Sequence, residues 1–165
     1  MPSLPLALQP PASEFAIRPV QWEDIGPLCN HCWPERPYAQ VQRLIGRVLR
    51  LADHEHGLGL VASDGEQVIG YGQFTHWPHA AEINDLVVSE PWRNRGIGTT
   101  LIQTLVRSAI NYGATAIEIG ATLENTRAMA LYRALGFTDQ RTVVLKIHGI
   151  RTPVLYLELL LEQPN

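Results

Sequence analysis

Between the apolar run Leu86-Val87-Val88 and a helical stretch that begins near Thr99 stands Arg93-Asn94-Arg95-Gly96-Ile97-Gly98, and this segment constrains the fold more than any other. Ala81 to Val88 reads as a strand. The residues after Gly98 carry Leu101, Ile102, Leu105, Val106, Ala109 and Ile110 at helical spacing, and Ala116 to Gly120 is a second, short apolar strand. A strand, helix and strand in that order imply a parallel pair with a right-handed crossover. Glycines at the first turn of such a unit let the backbone bend tightly with its N–H groups facing inward. A helix starting there aims its positive dipole end and unpaired donors at an anion. The segment therefore reads as a phosphate cradle, to which Arg93 and Arg95 add charge.

The flanking sequence builds a sheet around this unit. Phe15 to Pro19 is a short strand, and the acidic residues of Trp22-Glu23-Asp24 suit the first turn of a helix running to about Cys29. A second helix covers Tyr38 to Leu51, with Val41, Leu44, Ile45, Val48 and Leu49 in one buried stripe. Leu58 to Ala62 and Val68 to Phe74 are β-rich runs joined through Asp64-Gly65, a tight hairpin signature. Asn125 to Leu135 forms a further helix stopped by Gly136, and Arg141 to Ile147 pairs with Thr152 to Leu160 as a closing hairpin through His148-Gly149-Ile150-Arg151. The expected fold class is α+β: a mostly antiparallel sheet with one parallel junction in its middle and helices on both faces.

A chain of 165 residues with 45% hydrophobic content is one domain by length and buries a core of its own. Pro2, Pro5, Pro10 and Pro11 mark residues 1–13 as an extended, flexible tail, leaving 14–162 as the single domain. A net charge of −3 gives no sign of a nucleic-acid partner, so small neutral or cationic substrates fit better. Nothing approaches the ~18 apolar residues needed to span a bilayer, no basic segment precedes Leu4-Pro5-Leu6, and the reading is cytoplasmic. Cys29 and Cys32 have no second ligand pair for a zinc site, so they read as two thiols near a helix end and no metal is expected.

Competing cradles separate on single residues. A Walker-type loop needs a lysine that Gly98-Thr99-Thr100 lacks, and a dinucleotide fingerprint needs a third glycine where Leu101 stands. Glu118 is then no ribose-binding acid and points outward from its strand. What remains resembles the GCN5-related N-acetyltransferase superfamily, whose signature Arg/Gln-x-x-Gly-x-Gly/Ala is matched by Arg93, Gly96 and Gly98. Its second signature, an Asn seven residues before a Tyr in a Leu-Tyr-x-x-x-Gly-Phe segment, is matched by Asn125 and by Leu131 to Phe137. Seven residues are about two helical turns, which puts Asn125 and Tyr132 on one face.

The resemblance implies an acetyl-CoA-dependent N-acetyltransferase (acyl donor acetyl-CoA, no metal) working through a ternary complex on a primary amine of a small molecule or peptide. Acetyl-CoA would lie where the strand ending at Val88 splays from the strand near Ile117. Its pyrophosphate would rest on the N–H groups of Arg95, Gly96, Ile97, Gly98 and Thr99, within reach of Arg93 and Asn94. The backbone of Leu86, Val87 and Val88 would hold the pantetheine arm and polarise the acetyl carbonyl, and Asn125 and Tyr132 would complete the coenzyme site.

Acetyl transfer to an amine needs a neutral nucleophile, a stabilised oxyanion and a protonated leaving thiolate. Tyr132 is the candidate acid, its plain alternative being a core aromatic. For the base the residues offer Glu82 and Asp85, with His76, His79 or a water behind them. Strict alternation puts Glu82 with Asn84 and Leu86 on one face and Asp85 with Ala81, Ile83 and Val87 on the other, unless a bulge intervenes. Members of the family tend to bulge there. Those acting on glucosamine phosphate carry Glu-Asp near this point, and Asn84 in the first place of that pair argues against the same substrate. Trp33, Tyr38, His76, Trp77 and His79 fall in loops on the acceptor side and could shape a pocket. The other class of function these residues allow is a non-catalytic acyl-CoA sensor or interaction module. The terminal strands leave a homodimer possible.

Overall fold

The structure is a computed structural model that describes residues 15–161; the proline-rich tail of residues 1–13 lies outside the described residues. Seven strands form one sheet in the order β1-β2-β3-β4-β5-β7-β6. In chain order, β1 (Ala16–Pro19) leads through a single 3-10 turn to α1 (Ile25–His31) and α2 (Tyr38–Asp53). The antiparallel run β2 (Gly57–Ser63), β3 (Val68–His76) and β4 (Ala81–Val88) follows. Then come α3 (Ile97–Asn111), β5 (Ala116–Thr122), α4 (Thr126–Ala134) and the hairpin β6 (Thr138–Ile147) and β7 (Ile150–Leu160). β4 and β5 form the expected parallel junction in the middle of an otherwise antiparallel sheet.

Helices cover both faces, as the two apolar stripes require. Ile25, Leu28, Val41, Ile45 and Val48 of α1 and α2 pack on Val61, Val68 and Tyr71. Across the sheet, Ile97, Leu101, Ile102 and Leu105 of α3, with Met129 and Tyr132 of α4, pack on Ile69, Phe74, Ile83, Ile117 and Leu157. β3 lies between these layers and is buried at every position but its last. Arg18 ties β1 to the turn before α1 by a two-pronged ion pair to the buried Asp24, both contacts at 2.8 Å.

Two differences in element boundaries from the sequence reading have clear local reasons. α3 starts at Ile97, ahead of Thr99, because Gly96 takes a left-handed conformation (φ 81°) and its carbonyl accepts the first helical bond from Thr100. In the closing hairpin, β7 starts at Ile150, ahead of Thr152, because the turn needs only His148 and Gly149, at φ 50° and 78°, the backbone of a type I′ turn, and β6 starts at Thr138 because its pairing runs on past a bulge to Glu158. A bulge in β4, which the family resemblance allowed for, bears on the site. Tyr71 pairs with Val87 and Gln73 with Asn84, so Gly72 alone faces both Asp85 and Leu86. This β-bulge, with Asp85 at φ 54°, resets the alternation of β4.

The parity of the faces follows. Glu82 and Asn84 lie opposite Thr75 and Gln73, on the α1/α2 face with Tyr71. Past the bulge, Leu86 and Val88 pack against the α3 layer while Val87 packs with Tyr71. Asp85, meanwhile, meets Arg36 of the α1–α2 connection. Strict alternation would have separated the two acids; the bulge brings Glu82 and Asp85 to one face.

Beneath that face Tyr71 donates its hydroxyl to Gln73 Oε1 at 2.6 Å. A Cβ on Gly59 would stand 2.8 Å from that hydroxyl and 2.8 Å from Val20 Cγ1. Gly59→Ala is therefore expected to destabilise the fold by about 1–3 kcal/mol, since backbone-held neighbours leave an added methyl nowhere to go. Urea denaturation checks this.

Candidate functional site

The first half of the site is a cleft of 520 Å³ on the α3 face, lined among others by Leu86, Val87, Val88, Arg93, Gly96, Gly98, Thr99, Asn125 and Tyr132. It exists because β4 and β5 part company. They pair only at Ala81↔Ile117, Glu82↔Glu118 and Ile83↔Ile119, after which β5 turns its hydrogen bonds to β7 alone. The residues from Leu86 to Val88 therefore run along the cleft with no strand beside them on that edge. At the outer end, the backbone bends through Asn94 (φ 65°) and Gly96 (φ 81°) into the N-terminus of α3. A Cβ on Gly96 would meet nothing within 4 Å, and one on Gly98 only Val88 Cγ2 at 3.8 Å. The glycines thus leave open room beside the helix start, where the dipole and free N–H groups favour an anion.

The two arginines hold the loop itself. Arg93 Nε donates to Val88 O at 3.3 Å, and the Arg95 guanidinium lies 4.7 Å over the Trp92 ring. On the opposite wall, Asn125 is the N-cap of α4, accepting from Ala128 N at 3.1 Å, and it still lines the cleft. Tyr132 follows two turns on, 7% exposed, and burial pushes its phenol above the usual tyrosine range. Every coenzyme-side position named from the sequence, Arg95 and Ile97 included, belongs to this loop, helix start or cleft wall. Trp92, Arg127, Ala128 and Leu131 also line it and were missed as site residues. The helical spacing of Ala128, Leu131 and Tyr132 on one face was their only signal.

The second half lies on the α1/α2 face and straddles the point where β4 and β5 separate, Glu82 within the last pairs and Asp85 beyond them. Glu82 Oε2 accepts from the Trp77 indole N–H at 3.3 Å. Asp85 stands 3.6 Å from Arg36, whose guanidinium stacks 4.6 Å over Trp33. Burial raises the Asp85 carboxyl above the usual range, with Arg36 and more distant Arg47 opposing that rise. Further across, Glu118 is clamped by Arg141 at 2.9 Å, and Arg141 lies 4.8 Å over Tyr156. Trp33 is 3% exposed and packs edge-on to Tyr71, so it belongs to the core and not to an open pocket wall. Tyr38 and Trp77 are exposed.

The arrangement brings a polarised anion seat and a protonated phenol to one side of a gap in the sheet, with carboxylates on the other. That suits proton transfer at a reaction between two molecules entering from opposite faces. Among the described residues no group of His, Cys, Asp or Glu could hold a metal ion. Cys32 is buried and its thiol is pushed up to about 12, which disfavours its thiolate, and burial raises Cys29 as well. No helix among the described residues is long and apolar enough to cross a membrane.

Residues 18–137 match the sequence model of the Acetyltransferase (GNAT) family. Among characterised relatives, a mycothiol acetyltransferase of Corynebacterium efficiens is 31% identical over 80 residues, 46% of this chain and 26% of that protein. A thialysine N-epsilon-acetyltransferase of Bos taurus is 31% identical over 80 residues, 46% of this chain and 47% of that protein. The matched stretch thus spans about a quarter of the former and about half of the latter. Among solved structures, yncA of Salmonella typhimurium, with its cofactor acetyl-CoA, superposes with a TM-score of 0.75 at 18% identity, covering 92% of this chain and 96% of that one. The ribosomal-protein-S5-alanine acetyltransferase of Vibrio fischeri gives 0.76 at 15% identity, covering 90% and 94%.

The perturbed Asp85 yields a stability test. Its folded pKa lies above the ordinary 3.8, so the folded chain binds the proton more tightly than the unfolded chain. Wild type therefore loses stability relative to Asp85→Asn as pH rises through that window, and the loss is complete once both states are ionised. Asparagine also tolerates the positive φ. Denaturation of both proteins at about pH 4 and about pH 8 should show the difference moving toward the variant at the higher pH.

Proposed function

The chain belongs to the GNAT acetyltransferase family, and from that premise we propose that it is an acetyl-CoA-dependent N-acetyltransferase acting on a primary amine of a small molecule or peptide. The observation that carries the reading is the three-pair junction of β4 and β5, which opens a coenzyme cleft on one face directly behind carboxylates on the other. Acetyl-CoA fits the first half. The N–H groups from Arg95 to Thr99 would take its pyrophosphate, and the unpaired edge of Leu86 to Val88 would take the pantetheine arm as an added strand. Bound there, it supplies an acetyl carbon for an amine to attack and a thiolate to leave.

The chain's own groups then manage the protons. Tyr132 keeps its proton at neutral pH because burial raises its pKa, and it can give that proton to a sulfur whose thiol titrates near about 8.5. Of the two acids, Glu82 is the better base and amine anchor. It is held only by a neutral indole, whereas Asp85 faces Arg36 and is locked in the bulge. An amine acceptor also accords with relatives named for the ε-amine of thialysine and for a ribosomal-protein alanine.

Two measurements test the proposal. With a panel of primary amines (thialysine, spermidine, glucosamine and a peptide with a free alanine N-terminus), wild type should release CoA from acetyl-CoA. Tyr132→Phe should lower kcat about 10²–10⁴-fold with little change in the KM for acetyl-CoA. Glu82→Gln should lower kcat/KM for the amine more than Asp85→Asn does, and equal losses would count against Glu82. Separately, Gly98→Val should weaken CoA binding in calorimetry at least tenfold, because the side chain fills room that the protein leaves open. Binding equal to wild type would remove the cradle from the coenzyme site.

A further inference from the structure

We propose that Asn84 is a direct ligand of the acceptor amine, taking one of its two N–H groups while Glu82 takes the other, and so makes the site selective for primary over secondary amines. The inference rests on the acetyltransferase reading above and goes beyond it by assigning a residue and an acceptor class. Its starting point is an unmet hydrogen bond. Asn84 Oδ1 is buried with no partner, one of two such side-chain atoms among the described residues, the other being His76 Nδ1. Buried carbonyl oxygens without a donor are costly and scarce in native proteins, and one at a reaction site implies that the donor arrives with a ligand.

The position of that oxygen in the fold gives the donor its identity. Asn84 is the first residue beyond Ile83↔Ile119, the last pair between β4 and β5, and the last before the bulge at Asp85. It therefore stands on the acidic face where β4 leaves β5, two residues before Leu86, the first of the cleft-lining residues of β4. Three donors on this face are engaged elsewhere. Tyr71 donates to Gln73, Trp77 to Glu82, and the Arg36 guanidinium faces Asp85. Glu82 lies two residues back on the same face of the strand, about 7 Å along it, and its longer side chain can converge with Asn84 on one nitrogen.

A neutral primary amine has one lone pair and two N–H groups. In the transfer step the lone pair forms the C–N bond to the acetyl carbon and the C–S bond breaks. The sulfur takes the Tyr132 proton, and one amine proton passes to Glu82. The second N–H needs an acceptor that leaves the amine neutral. An amide oxygen serves, whereas a second carboxylate at that point would favour the ammonium form and remove the lone pair. A secondary amine would place a carbon against Asn84 Oδ1 and leave that oxygen unpaired.

The test compares a primary acceptor, the best of the amine panel above, with its N-methyl derivative in wild type, Asn84→Leu and Asn84→Asp. Asn84→Leu should lower kcat/KM for the primary amine about tenfold or more and for the N-methyl amine far less, collapsing the selectivity. The KM for acetyl-CoA should stay within about twofold and the melting temperature should not fall, since an unpaired polar atom is removed. Asn84→Asp should move the acidic limb of the kcat/KM profile to higher pH. Unchanged primary-to-secondary selectivity in Asn84→Leu overturns the proposal while leaving the acetyltransferase reading intact. Failure of wild type to turn over any amine overturns both.

Discussion

The parting of β4 and β5 after three residue pairs is the constraint on which the rest of the molecule depends. A parallel pair that stayed closed would bury its edge in hydrogen bonds and leave no path through the sheet. Two features force the separation. β5 continues straight to Thr122 and gives its second edge wholly to β7, while β4 is bent by the bulge at Asp85, where a single glycine faces two residues. The α3 layer then packs on Leu86 and Val88, so the bent strand is held from that face as well as by its pairing with β3.

Opposite electrostatics follow on the two sides of that gap. On the α3 face the helix start and loop supply donors and positive potential without dedicating a side chain to the task, since Arg93 and Arg95 also brace the loop against Val88 and Trp92. On the α1/α2 face the charge is carried by side chains in pairs. Each arginine lies on an aromatic ring and reaches an acid, Arg36 from Trp33 to Asp85 and Arg141 from Tyr156 to Glu118. The first of these clamps binds the α1–α2 connection to the bulge of β4, coupling the segment that covers the face to the strand that opens it.

The sequence made one half of this site far more legible than the other. Gly96, Gly98, Asn125 and Tyr132 were readable because a turn with positive φ, a helix start and a two-turn spacing leave residue-type signatures in one local stretch. The hairpin through Asp64-Gly65 and the two helix stripes were readable for the same reason. The bulge at Asp85 left no such trace, because it arises from how β4 registers against Gly72 of β3 and not from β4 itself. Without it, alternation assigned Glu82 and Asp85 to opposite faces. Trp33 was similarly misread: an aromatic between two helices looks like a pocket wall until the packing of Tyr71 and Arg36 around it is known. Asn84 was legible only as a residue type, since its unpaired oxygen is a tertiary fact.

This asymmetry has a physical cause. Backbone groups recognise a coenzyme whose phosphates and amide arm are constant, so the required geometry is written into glycines and caps that any chain with this task must repeat. The opposite face is built by side chains contributed from the α1–α2 connection, the β3–β4 connection and the outer strands, and their convergence is fixed only once the sheet has formed. Asp85 illustrates the consequence. In an unbent strand it would have been the natural rival to Glu82 as a base. In the folded chain its burial is opposed, though not cancelled, by Arg36, and both are held beside Trp33 and Tyr71. A carboxylate so held braces the bulge of β4 against the α1–α2 connection, whereas Glu82 has only the Trp77 indole against it.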